Sequence, residues 1–142
     1  MSIKRPLSAE FRKIVEARLD QTLRGAEDTL NQIMQQKEIK PKKLKEELKN
    51  LEENFNFVFQ KWSLEILYTL LLKNKAGFGE IKKILEVNSR TLSDKLKMLS
   101  KHCYITRNVD AGPPLRVKYE LTKKGKDIVL LALPLLYYSS ST

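Results

Sequence analysis

Apolar residues recur along the first sixty positions in steps of three and four. Phe11, Val15, Leu19, Leu23, Ala26, Leu30 and Ile33 mark one face of an amphipathic helix of about 25 residues, opened by Ser8 as a cap. Gly25 weakens its middle only modestly. The stretch KEIKP (37–41) ends it, because a residue before proline avoids helical dihedrals, and Pro41 suits the first turn of the next helix. From there Leu44, Leu48, Leu51, Phe55, Val58 and Trp62 step 4, 3, 4, 3, 4, a heptad seam. Two such helices either fold onto their own domain or pair with a second copy. So regular a stripe wants a partner of matching length, which favours pairing.

The rhythm continues past Trp62 into WSLEILYTLLL, a fully apolar helix expected in the core, and NKAG (74–77) stops it, with Gly77 available for a left-handed cap. A shorter helix, Phe78 to Glu86, turns Phe78, Ile81, Ile84 and Leu85 inward. Val87 closes the turn, Asn88 caps, and a further helix runs to about Lys101 with Leu92, Leu96 and Leu99 on its inner face. This pair reads as a helix-turn-helix.

Beyond it the period falls to two. YITRNVD (104–110) and LRVKYELT (115–122) alternate apolar and polar residues, and AGPP interrupts them, which predicts a two-stranded ribbon with a loop at its tip. Thr122 then caps a last helix whose IVLLALPLL is apolar on every side, and is therefore expected to be buried on every side. A lone domain has little room for it, so this helix and the N-terminal ones are assigned to a dimer interface, with Phe11, Leu19, Leu23, Leu30, Leu131 and Leu135 as its contact residues. The fold class is mainly α with a small β-wing: a winged helix-turn-helix with long N-terminal helices. Its expected parts are a dimerisation extension over 1–58, a DNA-binding domain over 59–123, and a dimerisation helix and tail over 124–142.

Charge sharpens this picture. Twenty-seven Lys and Arg against seventeen Asp and Glu leave +10, which favours a polyanionic partner. Residues 1–55 hold twelve basic and ten acidic side chains (+2), whereas residues 56–142 hold fifteen and seven (+8), so the second part carries the electrostatics. The single cysteine, Cys103, excludes an intramolecular disulfide and a multi-Cys zinc site; its plainest reading is a small buried hydrophobe. No secretory h-region precedes the first helix, and the longest apolar run, Ile128 to Tyr138, is too short to cross a bilayer. A cytoplasmic protein without membrane attachment is expected. Catalysis finds no foothold: His102 is the only histidine, no Gly-rich phosphate loop follows a strand, and neither metal nor cofactor is called for.

On a helical wheel the arc opposite Leu92, Leu96 and Leu99 holds Arg90, Asp94, Lys97 and Lys101. Ser89, Arg90 and Thr91 lie at the helix N-terminus, where backbone N–H groups also suit phosphate. Arg90 is the first choice for a base contact, because its fork can grip guanine O6 and N7 together; Ser93 and Lys97 suit phosphates. Lys82 and Lys83 on the preceding helix, and Arg107, Arg116 and Lys118 in the ribbon, are placed for backbone or minor-groove contacts. Tyr119 and Val117 are assigned to the core.

Several stretches together carry a family resemblance: Trp62 with Ile66, Leu67 and Leu70; Phe78-Gly-Glu-Ile81; the run Val87 to Leu99; Arg107; and Pro114-x-Arg116-Val117-x-Tyr119-x-Leu121-Thr122-x-x-Gly125. Over roughly 60–130 the chain resembles the HxlR family of winged-helix transcriptional regulators. The resemblance implies a homodimer that binds double-stranded operator DNA. Relatives that sense electrophiles carry a cysteine shortly before the Lys-Trp pair, but NFNFVFQ precedes Lys61-Trp62 here, so a thiol switch at that place is not supported. Where the family usually has a glycine before the first wing strand, this chain has KHCY, which leaves Cys103 as a substitute sensor. The N-terminal extension is longer than the family usually has. A small-molecule effector in an apolar cleft, as in the related MarR type, is compatible with the sequence but demanded by no residue pattern. Two other functions share this fold: a protein-interaction or assembly module, and a non-specific chromosomal binder.

Overall fold

The computed structural model describes residues 9–36 and 40–140, apart from the side chains of residues 9, 11, 12, 137 and 140. The expected cap at Ser8 and the helix-ending residues 37–39 lie outside the described residues, as does the Phe11 side chain. Two compact units divide the chain between Lys49 and Asn50.

The first unit holds α1 (Ala9–Gln36) and the opening turns of α2 (Pro41–Val58). Pro41 does begin α2, and the amides of Lys43 and Leu44 bond the Lys40 carbonyl. Along α1, Leu23, Leu30 and Ile33 are exposed, while Val15 and Leu19 are half-buried. Leu44 and Leu48 of α2 are exposed as well.

In the second unit the heptad rhythm breaks before Trp62. Helix α2 stops at Val58, and Trp62 adopts a left-handed conformation with φ of 78°. Its amide donates to Glu65 Oε2 at 2.8 Å, so the indole sits outside the first turn of α3 (Ser63–Lys73) instead of extending the seam. The expected continuous rhythm misses this turn because Val58 to Trp62 preserves a spacing of four across it. Ile66, Leu67 and Leu70 are buried in the core, but Tyr68 and Leu72 are exposed, so α3 is apolar all round and buried on one side only.

The stop after α3 is made by Asn74, at φ 66°, not by Gly77, whose φ of −83° is ordinary. Lys75–Ala76 then forms a short strand, β1, pairing antiparallel with Glu120 and Tyr119. With β2 (Ile105–Asp110) and β3 (Arg116–Leu121) it makes a three-stranded sheet of order β1-β3-β2, where the sequence predicted two strands. Two residues are too few for a period to register. Helix α4 (Phe78–Leu85) buries Ile81 and half-buries Phe78 and Leu85; Ile84, expected inside, is exposed.

Helix α5 (Ser89–Lys101) is capped as its sequence requires, the Thr91 amide donating to Asn88 Oδ1 at 2.8 Å. Leu92, Leu96 and Leu99 are at most 2 % exposed and join Ile66, Leu67, Leu70, Ile81 and Ile105 in one core. Burial of each such side chain contributes roughly 1.5–3 kcal/mol.

Helix α6 (Lys123–Ser140) opens on a compact junction. The Thr122 hydroxyl donates to the Cys103 carbonyl at 2.6 Å and accepts the Gly125 amide at 3.0 Å, while the Thr122 amide bonds the Tyr104 carbonyl. A Cβ on Gly125 would lie inside the Tyr104 carbonyl. Beyond the junction, Val129 and Ala132 are buried but Leu130, Leu131, Leu135 and Leu136 are exposed, so one chain covers only one side of α6. Val129 and Ala132 share one helix face, and a single core can cover only one.

Candidate nucleic-acid interface

Anchoring three leucines of α5 in the core fixes what its other side presents. The arc opposite them carries Arg90, Asp94, Lys97 and Lys101, and all four are exposed. Ser89 is exposed and Thr91 half-buried at the N-terminal end; Ser93, half-buried, flanks the arc. Lys95 is withdrawn from it, since its ammonium donates to Gln60 Oε1 at 2.8 Å and ties α5 to the turn before α3.

At the C-terminal end of α5, the Phe57 ring packs at a tilt against His102 at 4.1 Å and stacks on Tyr104 at 5.7 Å between ring centroids. His102 is exposed, as its position at the end of a basic helix suggests. The middle and the C-terminal end of α5 are therefore held by contacts away from the cationic arc. Met98, absent from the sequence-derived candidates, is 36 % exposed at the edge of the arc, an apolar tip of the kind that meets a thymine methyl. Its place was readable from the wheel, but an apolar residue carries no charge signal.

Lys82 and Lys83, both exposed, line a shallow hollow together with Gly79, Val87 and Asn88, which puts two ammonium groups beside the N-terminal end of α5. Among the described residues neither is in an ion pair; the pairs formed are Lys75–Glu120 at 3.9 Å and Lys123–Asp127 at 2.9 Å.

The three cations of the wing do not share a face. In the β2–β3 ladder Arg107 lies opposite Tyr119, on the face of buried Ile105. Lys118 lies opposite Asn108 and Arg116 opposite Asp110 on the reverse face, so a surface using Arg116 and Lys118 is not extended by Arg107. All three are exposed, while Val117 and Tyr119 are half-buried.

Cys103 is exposed, against its reading as a small buried hydrophobe. It sits at φ 64°, in the left-handed region, at the tight step from α5 to β2. That conformation accounts for the glycine expected there: only a residue without Cβ adopts it freely.

Among the described residues no group of three or more His, Cys, Asp or Glu could hold a metal ion, and no helix is long and apolar enough to cross a membrane.

A helix-turn-helix whose second helix turns a cationic arc outward, followed by a β-hairpin and a closing helix, defines a winged-helix protein. Residues 57–139 match the family described as HxlR-like helix-turn-helix. The uncharacterized HTH-type transcriptional regulator YdzF of Bacillus subtilis (strain 168) is 30% identical over 78 residues, covering 54% of this chain and 72% of that protein. A second such regulator of the same organism, YvaP, is 33% identical over 76 residues, 53% of this chain and 69% of its own. The fold resembles that of the reduced transcriptional regulator YodB from B. subtilis, with a TM-score of 0.56 at 21% identity, covering 72% of this chain and 92% of that one. The chain belongs to the HxlR-like helix-turn-helix family, a family of transcriptional regulators and not of enzymes. Residues 1–56 precede the family match.

Proposed function

We propose that this protein is a dimeric, sequence-specific DNA-binding transcriptional regulator that lays α5 in the major groove. The observation that carries the reading is the exposed arc of Arg90, Lys97 and Lys101 on a helix whose opposite side is locked into the core. In this reading Arg90 grips guanine, Ser89, Thr91, Ser93 and Lys97 meet phosphates or base edges, and Lys101 follows the backbone. Lys82 and Lys83 bind phosphates next to the α5 N-terminus. Arg116 and Lys118 approach the flanking minor groove from one face of the wing, and Arg107 serves the opposite side.

The dimer is supported by apolar surface that one chain leaves bare. A groove of about 330 Å³ in the second unit is lined by Leu51, Phe55, Val58, Phe59, Tyr104, Ile128, Leu131 and Leu135. Its proposed occupant is a helix of a second copy, with Leu131 and Leu135 at the contact; Phe11, Leu19, Leu23 and Leu30 of α1 are proposed as the dimer contacts of the first unit. Residues 1–58 and 124–142 then serve dimerisation, and residues 59–123 serve DNA. The +2 balance of residues 1–55 suits self-association, since it imposes little repulsion.

Selection of bound duplexes from a random pool tests the reading. An inverted repeat with half-sites about one helical turn apart is expected. Binding should weaken with salt at a slope of roughly −5 to −7, for about three to four phosphate contacts per subunit. Retention without any enriched sequence would reduce the protein to a non-specific binder, and no retention would leave it an assembly module.

A further inference from the structure

Asp94 stands in the middle of the cationic arc of α5, one turn after Arg90 and one turn before Lys97. It is exposed, and among the described residues it forms neither an ion pair nor a hydrogen bond, although cations flank it on both sides. Its position on the second turn makes it neither a cap nor a core contact, and the cap of this helix is already supplied by Asn88.

A free carboxylate on a surface that faces phosphates opposes binding to every sequence alike. It is repelled by the backbone, and its own hydration is lost on docking. That penalty is offset only where a base edge presents amino hydrogens. In the major groove cytosine offers its N4 amino group with no acceptor of its own beside it, whereas adenine places N7 next to N6 and would repel the second carboxylate oxygen. We infer that Asp94 is a specificity-determining residue that accepts a hydrogen bond from cytosine N4. The inference rests on α5 being the recognition helix, as proposed above. Four residues of helix rise about 6 Å, so the cytosine should lie one or two base pairs from the guanine held by Arg90.

The test compares the full-length wild type with Asp94→Ala and Asp94→Asn, both selected against a random pool and titrated on the selected and scrambled duplexes. The wild type should enrich a C·G pair at a fixed offset from a G·C pair in each half-site. Asp94→Ala should lose preference at that pair alone, on the order of tenfold, while binding scrambled DNA about two- to fivefold more tightly. Asp94→Asn should shift the preference at that pair from cytosine toward adenine, because its Oδ1 still accepts an amino hydrogen while its Nδ2 adds a donor for adenine N7. An unchanged motif in Asp94→Ala, or equal tightening on both duplexes, overturns the inference and leaves the recognition-helix reading intact. No enriched motif in the wild type overturns both. Unaltered helical circular dichroism and melting temperature would show that the variants fold, and a merely structural role for Asp94 would move those readouts without moving the preference at one pair.

Discussion

Cys103 shows how much one dihedral angle can explain. At φ 64° a side chain crowds its own carbonyl, at a cost of about 1–2 kcal/mol that glycine avoids. Cys103→Gly should therefore stabilise the protein by about 1 kcal/mol, while Cys103→Ala, which keeps the Cβ, should not; chemical denaturation midpoints separate the two. A midpoint for Cys103→Gly at or below that of the wild type would show that the thiol makes a compensating contact. Gly125 is the opposite case, a glycine kept for space and not for φ. Its missing Cβ lets the first turn of α6 cross the Tyr104 carbonyl while Thr122 bonds both neighbouring strand and helix. Gly125→Ala should cost at least about 2 kcal/mol, read as a lowered melting temperature with loss of DNA binding only through unfolding. The Thr-x-x-Gly end of the wing signature is thus an architectural device. Neither residue touches the proposed DNA surface, so its distinctiveness in the sequence says nothing of which bases are read.

At the scale of elements, the sequence was most legible where one face of a segment is buried. Helix α5 is the clearest case: Leu92, Leu96 and Leu99 predict its inner face, Asn88 its start, and Arg90, Lys97 and Lys101 its exposed side, all as found. The wing was legible because Arg116 to Tyr119 alternates between open and half-covered positions, whereas in β2 only Ile105 is covered. Legibility failed where a pattern carries across a break. Val58 and Trp62 keep helical spacing over a turn that only the left-handed Trp62 reveals, and β1 is too short to show any period. It failed again for α3, whose apolar run predicts a helix sunk in the core yet leaves Tyr68 and Leu72 exposed, and α6 likewise is covered on one face only within a single chain. One core covers one face, and Leu72 and Leu131 stay outside. Charge gave the candidate site but not its grouping: the sequence named Arg107, Arg116 and Lys118 together, and the strand register separates them onto two faces.

At the scale of the whole molecule, exposed apolar surface on α6 and along α1 is the feature the single chain leaves unexplained. Leu131 is 68 % exposed, so Leu131→Glu should leave the monomer folded while abolishing the proposed dimer. Sedimentation at micromolar concentration would read this as a halved mass, and Leu115→Glu at the equally exposed wing tip is the control that stays dimeric. A Leu131→Glu protein of unchanged mass would remove α6 from the interface. Loss of the dimer should also weaken operator binding far more than the few contacts of one subunit would suggest, because the second half-site is then bound independently.

The central claim is that the outward arc of α5 reads base sequence, and Arg90 tests it most directly. On the duplex selected by the wild type, Arg90→Ala should lose about 1–3 kcal/mol of binding, with preference relaxed at one guanine. On scrambled DNA of the same length it should lose much less. Equal losses on both duplexes, measured at one salt concentration, would make Arg90 a phosphate contact and contradict the account.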